Sequence, residues 1–196
     1  MTQNKVIGIT GNSGSGKTTV CAILAEHGGD VINADAVTHR LMEQGTAVYK
    51  KIVSAFGTGI LDENKIDRKK LGTIVFNDEK KRTQLENIIH PAVVDEILSS
   101  IKNSRAPFTA LDVVLLIESG LNKHCDAVWL VTAPEDMRLS RIISRDSLSE
   151  EAADARMRNQ RNVPPEAADR LIINDGNIEN LEKQVADALG EVLNVR

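Results

Sequence analysis

What is scarce in this sequence narrows its function before any motif is read. There is no surplus of positive charge: 24 Lys and Arg against 28 Asp and Glu leave a formal net charge of −4 over 196 residues. General nucleic-acid binders neutralise many phosphates and carry a basic excess, so that class is excluded and any basic site must be local. Cysteine is nearly absent. Cys21 and Cys125 lie far apart, outside any C-x-x-C pair or zinc-binding Cys/His spacing, and read as reduced thiols. His124 beside Cys125 has no second pair to complete a metal site and is expected to be a loop dipeptide. Long apolar runs are missing too: the one in MTQNKVIGIT is too short for a signal peptide or a membrane span. The expectation is a cytoplasmic chain with no membrane contact and no obligate protein partner. No repeat, low-complexity tract or Pro/Gly/Ser-rich linker appears, which predicts one domain over residues 1–196.

What is present has the rhythm of an α/β protein. Lys5–Thr10 is β-branched and apolar on both faces, as in a central strand buried on both sides of a parallel sheet. Asp30–Asn33, Leu111–Ile117, Ala127–Val131 and Leu171–Ile173 are similar short runs, with helical periodicity between them. The pattern predicts a five-stranded parallel sheet flanked by helices. Residues 36–104 show no convincing strand and are expected to form a helical insertion. Within it, Pro91 should separate a helix ending near His90 from one running towards Ser100. Ile178, Leu181, Val185, Leu189 and Val192 predict a core-packing C-terminal helix.

Gly11-Asn12-Ser13-Gly14-Ser15-Gly16-Lys17-Thr18 matches G-x-x-x-x-G-K-[ST], after a predicted strand and before a helical run starting at Thr19. Glycines let backbone N–H groups turn inward around phosphates, where Cβ atoms would obstruct them. Lys17 then reaches the β- and γ-phosphates, Thr18 is placed to coordinate Mg²⁺, and the helix presents its positive dipole end to the anion. Residues 11–19 are therefore the candidate nucleotide site, with ATP and Mg²⁺ as cofactors.

Three kinds of phosphate-loop protein compete. A GTPase would use Asn64-Lys65-Ile66-Asp67 as its guanine reader, but that tetrapeptide lies in a polar stretch of the insertion rather than after a late core strand, and no strand is followed by D-x-x-G. Motor and transport ATPases need a longer chain and a sensor apparatus. A small-molecule kinase remains, working by positioning and charge neutralisation. Asp35 and Glu118 end predicted strands, where ligands bind in open α/β sheets, and either is a candidate base. Arg138, Arg141 and Arg145 recur on one helical face, followed by Arg156, Arg158 and Arg161, and no lysine occurs between Met137 and Leu181. Arginine forks suit phosphate, so residues 138–163 are expected to form a lid, with Arg141 and Arg145 as its phosphate contacts.

The ordered set resembles the dephospho-CoA kinase family from end to end. It comprises Ile7-Gly8-Ile9-Thr10 with the phosphate loop, Val31-Ile32-Asn33-Ala34-Asp35, Ile66-Asp67-Arg68-Lys69-Lys70-Leu71-Gly72 with Val75-Phe76, and Leu85-Glu86-Asn87-Ile88-Ile89-His90-Pro91. Leu115–Leu121, Arg141, Arg145-Asp146, Gln160, Ala168-Asp169 and Ile172-Ile173-Asn174-Asp175-Gly176 complete it. The resemblance implies a P-loop kinase fold with a CoA-binding helical insertion and a lid, acting on ATP and 3′-dephospho-CoA at the ribose 3′-hydroxyl, the last step of coenzyme A synthesis. It further implies Asp35 as general base, Lys17 and Thr18 as phosphate and Mg²⁺ ligands, and Arg145 as the lid arginine. Asn174 and Gly176 fall near the adenine of ATP, and Thr10, His90, Leu116 and Glu118 on the acceptor side. The chain departs from the family pattern at Asn33, where Asp is usual, at His39, where Arg is usual, and in a shorter lid after Gln160. Helix geometry keeps the neighbouring Arg40 from inheriting position 39, since it points about 100° away. A nucleoside or nucleoside-monophosphate kinase is the alternative, and a non-catalytic nucleotide-binding module a third reading.

Overall fold

The chain begins β1 (Lys5–Thr10), α1 (Lys17–Glu26), β2 (Asp30–Asn33), α2 (Ala34–Leu41) and α3 (Ala47–Phe56) in the computed structural model, which describes residues 4–160 and 163–194. It continues through β3 (Leu61–Asp62), β4 (Lys65–Ile66), α4 (Arg68–Phe76), α5 (Glu79–Asn103) and β5 (Phe108–Asp112). Then come β6 (Ala127–Thr132), α6 (Glu135–Asp146), α7 (Glu150–Arg158), β7 (Arg170–Ile173) and α8 (Ile178–Asn194).

Five strands form one parallel sheet in the order β2-β5-β1-β6-β7. The central strand is β1, paired in parallel with β5 through Ile9↔Asp112 and with β6 through Thr10↔Leu130. Ile7 and Ile9 are fully buried, as expected for a strand covered on both faces. Val20, Ile23 and Leu24 of α1 and Leu181, Val185, Ala188 and Leu189 of α8 share the core cluster with them and with Phe108 and Trp129. Each such aliphatic side chain contributes about 1.5–3 kcal/mol on burial. Ile178 is the exception to the predicted C-terminal stripe, being half exposed at the start of α8. No helix among the described residues is long and apolar enough to cross a membrane.

The chain divides into two compact units, one made of the residues up to Ile32 and from Ser104 onward, the other of Asn33–Asn103. The second has its own apolar cluster, in which Val48, Ile52, Ile60 and Leu71 are buried and Leu85, Ile88, Ile89 and Ala92 pack against them. That cluster explains a departure from expectation. Pro91 does not divide the late part of the unit, because α5 runs unbroken from Glu79 to Asn103 with Pro91 inside it. A proline there removes a backbone hydrogen bond and costs about 3 kcal/mol. Apolar residues on both sides of it, Leu85, Ile88 and Ile89 before and Ala92 after, rest on the same cluster and hold the axis together.

Residues 36–104 also contain strand, contrary to expectation. Leu61↔Ile66 and Asp62↔Lys65 pair as a two-residue hairpin, with Glu63 and Asn64 both at positive φ (45° and 66°) in the turn. Asn-containing two-residue loops favour this geometry, and the short strands escape a search for alternating runs. The tetrapeptide that mimics a guanine-reading motif is thus the end of a hairpin followed by a helix cap, since the Asp67 carboxylate accepts from the N–H groups of Lys69 and Lys70.

The third strand is shorter and earlier than expected. It spans Phe108–Asp112 rather than Leu111–Ile117, and residues 114–120 form consecutive turns. The apolar run continues because Leu116, fully buried, folds back against Gly8 of β1, where an added Cβ would meet Leu116 at 2.6 Å. Periodicity alone cannot separate a strand from an apolar turn tucked under a sheet.

Candidate active site

The phosphate loop connects the central strand to α1 in the first unit. Gly16 precedes α1 in a left-handed conformation (φ 94°) and gives the helix no side-chain cap, so the positive end of the helix faces the loop. Gly11, at φ +145°, passes so close to Val131 that a Cβ would lie 2.2 Å from its carbonyl oxygen. Lys17 Nζ donates to the Gly11 carbonyl at 2.7 Å, folded over its own loop. Thr18 and Thr19 are exposed at the start of α1, whereas Ser15 is fully buried and its hydroxyl has no hydrogen-bond partner among the described residues. Asn12, Ser13 and Gly14 are partly exposed.

The outer side of the loop is held by α6. Arg138 Nε donates to the Ser13 carbonyl at 3.2 Å and Arg141 Nη1 to the Gly14 carbonyl at 3.0 Å. The Ser13 N–H donates to Gln160 Oε1 at 2.9 Å. Asn174, buried just beyond β7, donates from Nδ2 to the Ser15 carbonyl at 3.1 Å and accepts from Arg141 Nη2 at 3.2 Å. Carbonyls are thereby turned towards arginine and asparagine donors on the outside of the loop. A cavity of about 250 Å³ lies beside this clamp, lined by Gly16, Thr19, Arg141, Asn174 and Gly176 with the apolar Ile178 and Leu181. Its mixed lining suits a flat base, and five of the predicted nucleotide residues, Gly16, Thr19, Arg141, Asn174 and Gly176, meet there.

Gly16 cannot be replaced cheaply, because a Cβ would sit 1.9 Å from Asn174 Nδ2. Gly16→Ala should therefore displace Asn174 and strain a left-handed residue by about 1–2 kcal/mol. Expected results are a Tm lower by about 2–8 °C and weaker ATP binding in a titration. Wild-type values for both would mean that the clamp yields without consequence.

Arg145, predicted alongside Arg141, does something else. Its guanidinium binds both carboxylate oxygens of Asp146 at 2.8 Å, and Arg156 adds a third contact to that carboxylate at 2.6 Å. Those hydrogen bonds, Arg145's first, hold the Asp146 carboxyl below its ordinary pKa and the Arg145 guanidinium above its own. Arg138, nearer the start of α6, is the arginine that joins Arg141 on the loop carbonyls, while Arg145, expected as a phosphate contact of the lid, lies one turn beyond Arg141. Helices α6 and α7 form a hairpin around buried Ile142, Ala153 and Met157. Arg161 lies outside the described residues.

The acidic candidates separate clearly. Glu118 is exposed in the turns after β5, six residues beyond the end of that strand. Leu116 is fully buried, and Thr10, also buried, donates its hydroxyl to the Val114 carbonyl at 3.0 Å, so neither is presented to an acceptor. The carboxylate that does end the strand beside β1 is Asp112, which the sequence hides because the apolar run continues past it. Burial pushes the Cys21 thiol up to about 12, with the Asp112 charge adding to the shift and Lys17 opposing it. Asp112, Lys17 and Cys21 therefore share one neighbourhood beneath the loop. Cys125 is likewise pushed up to about 12 by burial, and both cysteines are free. No metal-binding cluster of His, Cys, Asp and Glu occurs among the described residues, and His124 ends a short turn before Cys125.

Asp35 and His90 belong to the helical unit. Asp35 is not a strand residue, because β2 ends at Asn33 and Asp35 is exposed in the first turn of α2. Asn33 caps that helix, accepting from the Ala36 N–H at 2.8 Å, a task that Asn and Asp perform equally well. Arg40 pairs with Glu96 at 2.7 Å, in keeping with its rotation away from the face of His39. His90 is exposed in the interior of α5, one residue before Pro91, rather than at a helix end.

Comparison with known proteins agrees with this geometry. The dephospho-CoA kinase (CoaE) family model matches residues 5–180. A dephospho-CoA kinase of Symbiobacterium thermophilum is 42% identical over 190 residues, covering 94% of this chain and 80% of that one. The solved structure of TT1252 from Thermus thermophilus superposes with a TM-score of 0.82 at 33% identity, covering 96% of this chain and 98% of its own. The dephospho-CoA kinase of Campylobacter jejuni gives a TM-score of 0.70 at 30% identity, covering 95% and 96%. With its phosphate loop, its arginine-bearing α6 and a family match over most of its length, the chain belongs to the dephospho-CoA kinase family of ATP-dependent kinases.

Proposed function

We propose that the chain transfers the γ-phosphoryl group of ATP to the ribose 3′-hydroxyl of 3′-dephospho-CoA, with Lys17, Arg138 and Arg141 serving the phosphates and Asp35 serving the acceptor. The observation that carries the donor half is the uncapped start of α1 beneath a loop whose carbonyls are turned away onto Arg138, Arg141 and Asn174. Inward N–H groups at a helix start can hold a phosphate chain without any rearrangement of charge. Lys17 exchanges the Gly11 carbonyl for phosphate oxygens. Mg²⁺ fits here: the exposed Thr18 hydroxyl and the strand-end Asp112 carboxylate supply hard oxygen donors, the pair expected beside a phosphate loop. When bound, the ion neutralises charge on the β- and γ-phosphates. Asp35 holds the 3′-hydroxyl by accepting its proton, so that the oxygen is aimed at phosphorus. Helices α6 and α7 act as the lid, and Asn33–Asn103 as the acceptor-binding unit.

Acceptor choice tests the reading. Steady-state turnover with ATP should favour dephospho-CoA over adenosine or any nucleoside monophosphate by roughly a hundredfold or more in kcat/KM. That asks the arm beyond the nucleoside for only about 2.7 kcal/mol of transition-state binding. Comparable values for a nucleoside monophosphate would move the protein to the alternative class.

A further inference from the structure

Both polar groups of the Ser13 main chain are held by the α6–α7 hairpin, one from each of its ends. Arg138, in the first turn of α6, donates to the Ser13 carbonyl at 3.2 Å, and Gln160, two residues past the end of α7, accepts the Ser13 N–H at 2.9 Å. Gln160 is itself fixed to the hairpin. Its own N–H donates to the Met157 carbonyl at 3.3 Å, and Met157 is buried with Ile142 and Ala153 in the apolar cluster that joins the two helices. The Ser13 N–H belongs to the Asn12–Ser13 peptide, and in a trans peptide the N–H and the carbonyl point in opposite directions. Gln160 on one side therefore sets the direction of the Asn12 carbonyl on the other. That carbonyl accepts from the Ser15 N–H at 3.2 Å, closing a turn of the loop, and lies 3.5 Å from Lys17 Nζ.

We infer that Gln160 is a positioning residue for phosphoryl transfer: from the end of the α6–α7 hairpin it fixes the Asn12–Ser13 peptide, and through that peptide the resting place of the Lys17 ammonium. A glutamine carbonyl suits the task. It accepts an N–H as a carboxylate would, yet brings no negative charge to a loop that must receive a polyanion. The contact also ties hairpin and loop into one mechanical element. Displacing the end of α7 breaks the Ser13 bond, frees the Asn12–Ser13 peptide to rotate and turns away the carbonyl that steadies Lys17. Electrostatic stabilisation depends on donors held in place before charge develops, so a lysine on an unsteady loop serves the transition state less well even where ATP binds as before. The inference rests on Lys17 as the cation that serves the transferring phosphoryl group.

Gln160→Ala should lower kcat about two- to tenfold, the worth of one neutral hydrogen bond, while the KM values for ATP and dephospho-CoA stay near the wild type. The Ser13 amide proton should exchange with solvent faster by about the same factor, read by nuclear magnetic resonance without turnover. Ser13→Pro removes the donated N–H, so a double-mutant cycle isolates the contact: once residue 13 is proline, Gln160→Ala should cost nothing further in kcat. If Ser13→Pro fails to fold, Lys17→Ala takes its place in the cycle with the same expectation. Additive losses in the cycle, a folded Gln160→Ala enzyme with wild-type kcat, or a loss confined to Tm would overturn the inference. Lys17→Ala by itself keeps the two readings apart. Near wild-type turnover in that variant removes the role of the lysine and the inference with it, whereas an inactive Lys17→Ala beside a fully active Gln160→Ala removes the role of Gln160 alone.

Discussion

Lys17→Ala is expected to lower turnover by at least about a hundredfold to a thousandfold, the range found when one preorganised donor to developing charge is removed. Two features make the loss specific to chemistry. Lys17 opens α1 beside the loop, and its ammonium donates to the Gly11 carbonyl, a contact that phosphate oxygens can replace. Lys17 is no member of the apolar core cluster, so circular dichroism should show the variant folded. Phosphoryl transfer involves little covalent work by the protein, so a mobile cation delivered to the transferring group supplies a large share of the charge stabilisation. A folded Lys17→Ala protein with near wild-type turnover would remove the phosphate-loop assignment.

Asp35→Asn is expected to reduce turnover by about two to four powers of ten, as for a positioned base, with little change in ATP affinity. The substitution keeps the shape of the side chain at an exposed first-turn position and removes its charge. Helix α2 retains its cap, because Asn33 supplies it. Glu118→Gln is the control and should remain near wild type, since that carboxylate stands exposed in a turn rather than at a strand end. Asp112→Asn separates a metal role from a base role: its loss should be relieved in part by raised Mg²⁺, and that of Asp35→Asn should not. Activity in Asp35→Asn together with inactivity in Glu118→Gln would reverse the assignment.

The carboxylates show most clearly what can be read from sequence and what cannot. Asp35, expected to end a strand, sits in the first turn of a helix: Asn33 is as good a helix cap as a strand end, and only the backbone distinguishes them. Glu118 and Asp112 exchange places for a related reason. The apolar run from Leu111 to Ile117 serves two surfaces, first the sheet and then the underside of Gly8, and composition is blind to where the chain turns. The arginine face of α6 is legible from spacing, yet spacing does not say which turn of the helix meets the loop. Asp146 sits next to Arg145 and takes its fork, while Arg138 and Arg141 reach the loop carbonyls.

Sequence by itself determined the order of the main strands and helices, the phosphate loop and the family, because these depend on local periodicity and on residues adjacent in the chain. Left to the tertiary structure were the contacts between residues distant in sequence. They include Asn174 against Ser15, Gln160 against Ser13, Arg68 against His39 and Asp112 beside β1. The continuity of α5 through Pro91 belongs with them, since it depends on a cluster assembled from other helices and a hairpin. Such pairings follow from packing, where burial of apolar area over the whole unit outweighs the local preference of any one residue.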